Sequence, residues 1–114
     1  MKNKLDFITN SSSTSFIIMN TSSTEKNLVN FVKENPHLIE VFTRIYSYIN
    51  DERFTQENLI KSAQNNNIEF KAGEKKECIF GDEDGTLIGQ VFDYILREGG
   101  KSKSFVWWFK EYLR

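Results

Sequence analysis

"SFVWWFKEYLR" runs from Ser104 to Arg114, and the choice between strand and helix for this stretch decides the fold class. Phe105-Val106-Trp107-Trp108-Phe109 is an aromatic run with a β-branched residue, the composition of a buried strand. Phe105, Trp108, Phe109 and Tyr112 also recur at helical spacing. The reading taken is a strand through about Phe109, with the helical alternative open. A strand here needs partners, and the rest of the chain offers them. Phe16-Ile17-Ile18-Met19, within Ser15–Asn20, is a second compact apolar run. Leu5 and Phe7 alternate with polar neighbours over Lys4–Ile8. Ile68, Phe70 and Ala72 alternate with Glu69 and Lys71, and the polar turn Gly73–Lys76 leads into Glu77-Cys78-Ile79-Phe80. The last two runs read as a hairpin.

Between the strand signals lie four helical patterns. One starts near Thr24, where Ser22 and Glu25 have the spacing of a capping box, and continues through Leu28, Phe31 and Val32. It stops at Asn35-Pro36, where Asn35 can cap a second helix with Pro36 at its first position. Leu38, Phe42, Ile45 and Ile49 form the stripe of that helix, widened by Val41 and Tyr48. A third follows Thr55, with Leu59, Ile60 and Ala63 inward and Phe54 placed as a staple on Leu59. A fourth follows Thr86, carries Ile88, Val91, Phe92 and Ile95, and closes at Gly99. The expected fold is α+β. A small mixed or antiparallel sheet holds Phe16–Met19, Ile68–Ala72 and Cys78–Phe80, with about four helices packed on one face. Residues 1–114 form a single domain.

Composition bounds the function classes. The 114 residues are 39% apolar and 14% aromatic, enough large apolar surface for a core and against a disordered chain. The net charge of −1 creates no global field toward nucleic acid or anionic membrane. A single cysteine, Cys78, permits no internal disulfide. Lys2 and Lys4 precede only the short apolar pair Phe7-Ile8, which is no signal-peptide core and no membrane span. The expectation is a cytoplasmic protein with no membrane association.

"DFITNSSSTSFII", Asp6 to Ile18, resembles an N-terminal signature of small uncharacterised bacterial, archaeal and phage proteins. In that signature an aromatic and a branched residue precede T-N-S-S-S, a further small residue, Ser-Phe and an apolar run. "GDEDGTLIGQVFDYILREGG", Gly81 to Gly100, is similar to a shared C-terminal feature of the same group. The resemblance implies no activity, cofactor or catalytic residue, because the group has no known function.

Six consecutive small polar residues, Asn10 to Ser15, separate Phe7-Ile8 from Phe16. The preferred reading is a hydrogen-bonded turn, in which Asn10, Ser11, Ser12, Ser13 and Ser15 bond to nearby backbone. A recognition site for a phosphate, a nucleotide or a partner's backbone is second, and a modified or free arm is third. The block is neither a Walker loop nor a nucleophile elbow. Asp82-Glu83-Asp84-Gly85 resembles the opening of a calcium loop, but its twelfth position is Asp93 rather than Glu. His37 is the only histidine and reads as surface, and Cys78 reads as a small buried hydrophobe, so no zinc or catalytic constellation assembles. No metal and no cofactor is expected.

In the tail, Trp107 and Trp108 stand among Arg97, Lys101, Lys103, Lys110 and Arg114. Core packing is the first reading of these aromatics, a protein interface the second, and nucleic-acid stacking the third, because the chain is not basic. The function that follows is a non-enzymatic module acting through contact with a protein partner or by self-association, with nucleic acid disfavoured. The candidate contact residues are Asn10, Ser11, Ser12, Ser13, Ser15, Arg97, Trp107 and Trp108. One alternative is a nucleotide- or phosphate-binding protein, an enzyme in one version, using Asn10–Ser15. The other is a nucleic-acid binder using the aromatic and basic tail.

Overall fold

A computed structural model describes residues 13–46, 52–81 and 86–113. Strand β1 (Ser13–Asn20) leads through β2 (Lys26–Asn27) to helices α1 (Leu28–Glu34), α2 (His37–Ile45) and α3 (Gln56–Gln64). Strands β3 (Glu69–Phe70) and β4 (Lys75–Gly81) follow, then helix α4 (Leu87–Ile95) with a 3-10 turn at Leu96–Glu98. Strands β5 (Gly100–Lys101) and β6 (Phe105–Leu113) complete the chain. The main sheet has the order β4-β1-β6-β5 with every neighbouring pair antiparallel, and β2 and β3 form a separate two-residue ladder. This is the expected α+β architecture with its helices on one side of an antiparallel sheet.

The tail is a strand, as read, and it extends past Phe109 to Leu113. It lies beside the central β1, with Phe109 opposite Phe16, Trp107 opposite Ile18 and Phe105 opposite Asn20. These residues face the helices. Cys78 and Phe80 of β4 flank them from the other side, opposite Phe16 and Thr14. Helix α1 seats Phe31 on this layer, 5.2 Å from the Phe105 ring, 5.1 Å from Trp107 and 5.5 Å from Phe92 of α4. Phe92 packs in turn on Phe80 at 5.3 Å. Helices α1 and α4 therefore lie on the sheet, α3 packs against both, and α2 packs on α4. Gly100 has a packing reason: a Cβ there would come within 2.6 Å of the Trp107 indole, so only glycine lets β5 lie alongside β6 at that point.

Four local expectations are corrected. The Ile68–Ala72 and Glu77–Phe80 runs do not pair as a hairpin. Phe70 pairs with Lys26, whereas β4 pairs with β1, so the turn at Gly73 carries the chain from one sheet to the other. The first helix begins at Leu28, not near Thr24. Its capping box is Asn27 with Asn30, each side chain accepting from the other's backbone N–H at 2.9 Å. Ser22 instead closes a local turn with Asn20, its N–H and hydroxyl donating to Asn20 Oδ1. Asn35 does not cap α2, whose N-cap is Pro36. The Asn35 amide reaches back to the Phe31 carbonyl at 2.9 Å and to Ser102 at 3.2 Å. In α2 the buried stripe is Leu38, Ile39 and Phe42, while Ile45 is 58% exposed. Thr55 and Thr86 cap their helices as read, each hydroxyl accepting an N–H three residues on. The expected strand at Lys4–Ile8 and the residues Tyr48, Ile49 and Asp82–Gly85 lie outside the described residues.

Replacing Phe31 with Ala removes the ring that joins α1 to both α4 and β6. The expected loss is about 3–5 kcal/mol, the range for truncating a buried aromatic. Denaturant unfolding of the variant against wild type measures it, and a loss below about 1 kcal/mol is incompatible with this packing.

Candidate functional surface

Each long strand of the sheet has a second face, turned away from the helices. On β1 it carries Ser15, Ile17 and Met19, on β4 Lys75, Glu77 and Ile79, and on β6 Val106, Trp108 and Glu111. Three cross-strand rows result. Ile79, Ser15 and Glu111 form one end, and Glu77, Ile17 and Trp108 form the middle. Lys75, Met19, Val106 and, on β5, Lys101 form the other end. Ile79 is 51% exposed and Trp108 39%. Among the described residues all four helices lie on the opposite side.

The adjacent tryptophans of the tail thus part. Trp107 turns inward and is 3% exposed against Phe31, whereas Trp108 turns outward. Both positions were candidates for contact, and a strand's period of two places them on opposite faces. Ser15 is on the outer face with Trp108. Its hydroxyl donates to the Glu77 carboxylate, which Lys110 also meets at 3.3 Å. The Ser15 hydroxyl first, and Lys110 second, hold the Glu77 carboxyl below its ordinary value. Lys110 stands within 3.9 Å of Glu111 as well. Lys110 is the extra residue of a bulge, since Ser15 pairs with Glu111 and Phe16 with Phe109. These charges rim one end of the apolar rows.

Arg97 sits on the helix side. Its Nε donates to the Asp93 carbonyl at 2.7 Å and its Nη2 to Asp93 Oδ1 at 3.1 Å, and the guanidinium lies between the rings of Tyr94 and Tyr112 at 4.8 and 5.1 Å. The Thr14 hydroxyl donates to the same Asp93 oxygen at 2.5 Å. Ser13, Thr14 and Ser15 belong to β1 rather than to a turn, and the hydroxyls of Thr14 and Ser15 go to carboxylates, not to backbone. Asn10, Ser11 and Ser12 lie outside the described residues. Sequence reasoning passed over Ile17, Met19, Ile79, Val106 and the Glu77–Lys110 pair. Their signal was present: Phe16–Met19 and Phe105–Phe109 are apolar at consecutive positions, so both strand faces are apolar.

Other chemistries find little footing among the described residues. No group of three or more His, Cys, Asp or Glu stands close enough to hold a metal. Cys78 is buried, and burial pushes its thiol up to about 12, far from a reactive thiolate. His37 is exposed at the start of α2. No described helix is long and apolar enough to cross a membrane. Compared with known proteins, the chain matches no protein-family model, no curated protein and no solved structure.

Two measurements check this surface. Trp107→Ala is expected to cost about 3–5 kcal/mol as a core truncation. Trp108→Ala is expected to stay within about 1 kcal/mol of wild type, as a substitution outside the core. Similar losses at the two sites would show that the faces are misassigned. The second measurement follows the Glu77 carboxyl by NMR. Its folded-state midpoint is lowered from the ordinary carboxylate value, so the stabilisation it carries is present above that ordinary value and is lost as pH falls through the lowered midpoint. Ser15→Ala is expected to move the midpoint back up, and an unmoved midpoint would remove the Ser15–Glu77 bond.

Proposed function

We propose that the protein is a non-catalytic interaction module that works by protein–protein contact through the outer face of its sheet. One observation carries the reading. The central strand and its β6 neighbour are apolar on both faces, yet among the described residues the helices cover only one. An antiparallel sheet that meets water on one side alternates apolar and polar residues along its strands. Here Ile17, Met19, Val106 and Trp108 occupy the positions where such a sheet carries polar side chains. An outward tryptophan surrounded by aliphatic residues and rimmed by Lys75, Lys101, Lys110, Glu77 and Glu111 has the make-up of an interface, with an apolar centre and a charged edge.

The phosphate-ligand alternative gains no support from the described part of the serine block. Thr14 and Ser15 are fully buried and their hydroxyls are committed to Asp93 and Glu77. Two carboxylates beside the hydroxyls disfavour an anionic ligand. The basic residues of the tail also do not form a stripe: Arg97 faces the helix side, whereas Lys110 and Lys101 face the other.

Site-directed photo-crosslinking in cells tests the proposal. A crosslinker at Ile79 is expected to capture a polypeptide that one at Glu57, exposed on α3, does not. Equal capture from the two positions, or none from Ile79, would overturn it.

A further inference from the structure

The fully buried Asn20 gathers three loops at one end of the molecule. Its side-chain amide donates to the carbonyls of Thr24, Phe70 and Lys71, and its backbone N–H donates to the Glu74 carbonyl at 2.9 Å. The next N–H, that of Thr21, donates to the Ser104 carbonyl at 2.8 Å. The segments 21–26, 71–76 and 101–104 therefore meet at the end of β1. Together they carry Lys26, Lys71, Lys75, Lys76, Lys101 and Lys103. Lys26 and Lys76 are half-buried, and the other four are exposed.

The carboxylates at this end are turned to other donors. Glu34 accepts from the Ser102 hydroxyl and the Ser104 N–H, and Glu74 accepts from the Lys71 N–H at 2.7 Å. Glu25 and Glu69 stand at the flank, beside the β2–β3 ladder. Among the described residues none of these lysines is in an ion pair, whereas Arg97 and Lys110 are both paired. The backbone thus holds unpaired like charges together, and an anionic partner relieves their mutual repulsion.

We infer that this end binds an acidic segment of a partner polypeptide, its carboxylates set against these lysines. Lys75 and Lys101 stand at opposite ends of one cross-strand row, three strand spacings or about 14 Å apart. An extended segment of about five residues covers that span at about 3.3 Å per residue. A nucleic-acid strand is less well served. The three segments hold no arginine to fork onto phosphate or guanine, and the neighbouring Phe70 and Phe105 are fully buried, so no base can stack on them. Ion pairs at exposed lysines are weak singly and screened by salt, so the binding is reversible and sensitive to ionic strength. The surface is separate from the Ile79 side of the sheet, and its test does not depend on what the outer face meets.

NMR titration of the isotope-labelled full chain with a synthetic oligoglutamate tests the inference. The expected amide shifts are saturable and centre on residues 21–26, 71–76 and 101–104. The affinity is expected to fall several-fold as ionic strength rises past about 0.1 M, where the Debye length is about 10 Å. Lys71→Glu with Lys103→Glu is expected to lower the affinity about tenfold. The milder pair Lys71→Gln with Lys103→Gln, which removes the charges without reversing them, is expected to give an intermediate loss. Lys61→Glu, at an exposed position on α3, is expected to change the affinity by less than about twofold. Shifts absent from the three loops overturn the inference, and so does a loss from Lys61→Glu equal to that of the double variant. A single-stranded DNA oligonucleotide of equal charge that binds the same loops more tightly than oligoglutamate transfers the surface to nucleic acid and overturns the polypeptide partner.

Discussion

The Phe31 ring stands edge-on to three other rings, with interplanar angles of 84° to 89° to Trp107, Phe105 and Phe92. The arrangement of the helices on the sheet depends on this cluster. Helix α1 has only seven residues, too few to persist alone in water, so it holds its shape because Leu28, Phe31 and Val32 are buried. Phe31 is the residue that ties it to both α4 and β6. From Phe92 the contacts continue to Phe80 on β4, to Phe16 on β1 and to Phe109 on β6. Two helices and three strands thus share one aromatic network. Edge-to-face pairs contribute about 0.5–1.5 kcal/mol each beyond the area they bury, and the perpendicular geometry gives the packing a direction that aliphatic contact lacks.

Aromatic packing does not by itself set the register of β1. Phe16, Ile17, Ile18 and Met19 are all apolar, and a slip of one residue would still place apolar side chains against the helices. Polar residues at the two ends of the strand resolve the ambiguity. Thr14 reaches the buried Asp93 at one end. At the other, the Asn20 amide donates to the carbonyls of Thr24, Phe70 and Lys71 while its oxygen accepts from Ser22. Both residues share the inner face with Phe16 and Ile18. A slip would turn them outward and leave Asp93 and several carbonyls buried without these partners, at about 1–3 kcal/mol for each group. A similar anchor fixes the loop before β6, where Glu34 accepts from the Ser102 hydroxyl and the Ser104 N–H. Burial alone would raise that carboxyl. The two serines outweigh it and hold the group below its ordinary value.

What the sequence made legible was local. Thr55 and Thr86 precede clear apolar stripes, and the hydroxyl of each caps its own helix at short range. The tail reads as a strand from its own composition. The errors come from competition over distance. Ser22–Glu25 and Asn27–Asn30 both have helix-start spacing, and the helix starts at the second, while Ser22 is bonded into a turn with Asn20. Of the alternating run at Ile68–Ala72 only Glu69–Phe70 is strand, and its partner is Lys26-Asn27, a pair with no strand signature. The outer face was legible in Ser15 and Trp108 alone. Ile79 and Ile17 were not singled out, because an apolar residue in a strand does not announce which face it takes until its neighbours are placed. The same parity sent Trp107, an equal candidate by type, into the core.

One inserted residue reconciles the two faces of β6. Without the bulge at Lys110, the alternation that puts Phe109 inward would put Glu111 inward too, opposite Thr14. A second carboxylate would then crowd the fully buried Asp93, and a buried acidic pair with one guanidinium between them is poorly compensated. The bulge moves the alternation by one. Lys110 and Glu111 both turn to the outer face, where they supply the charged end of the apolar rows, and Tyr112 takes the inner position opposite Thr14. There its ring packs on Phe109 at 4.8 Å and covers the guanidinium of Arg97, whose other contacts neutralise Asp93. The irregularity that protects the buried acid on one side of the sheet is thus the same one that gives the other side its polarity.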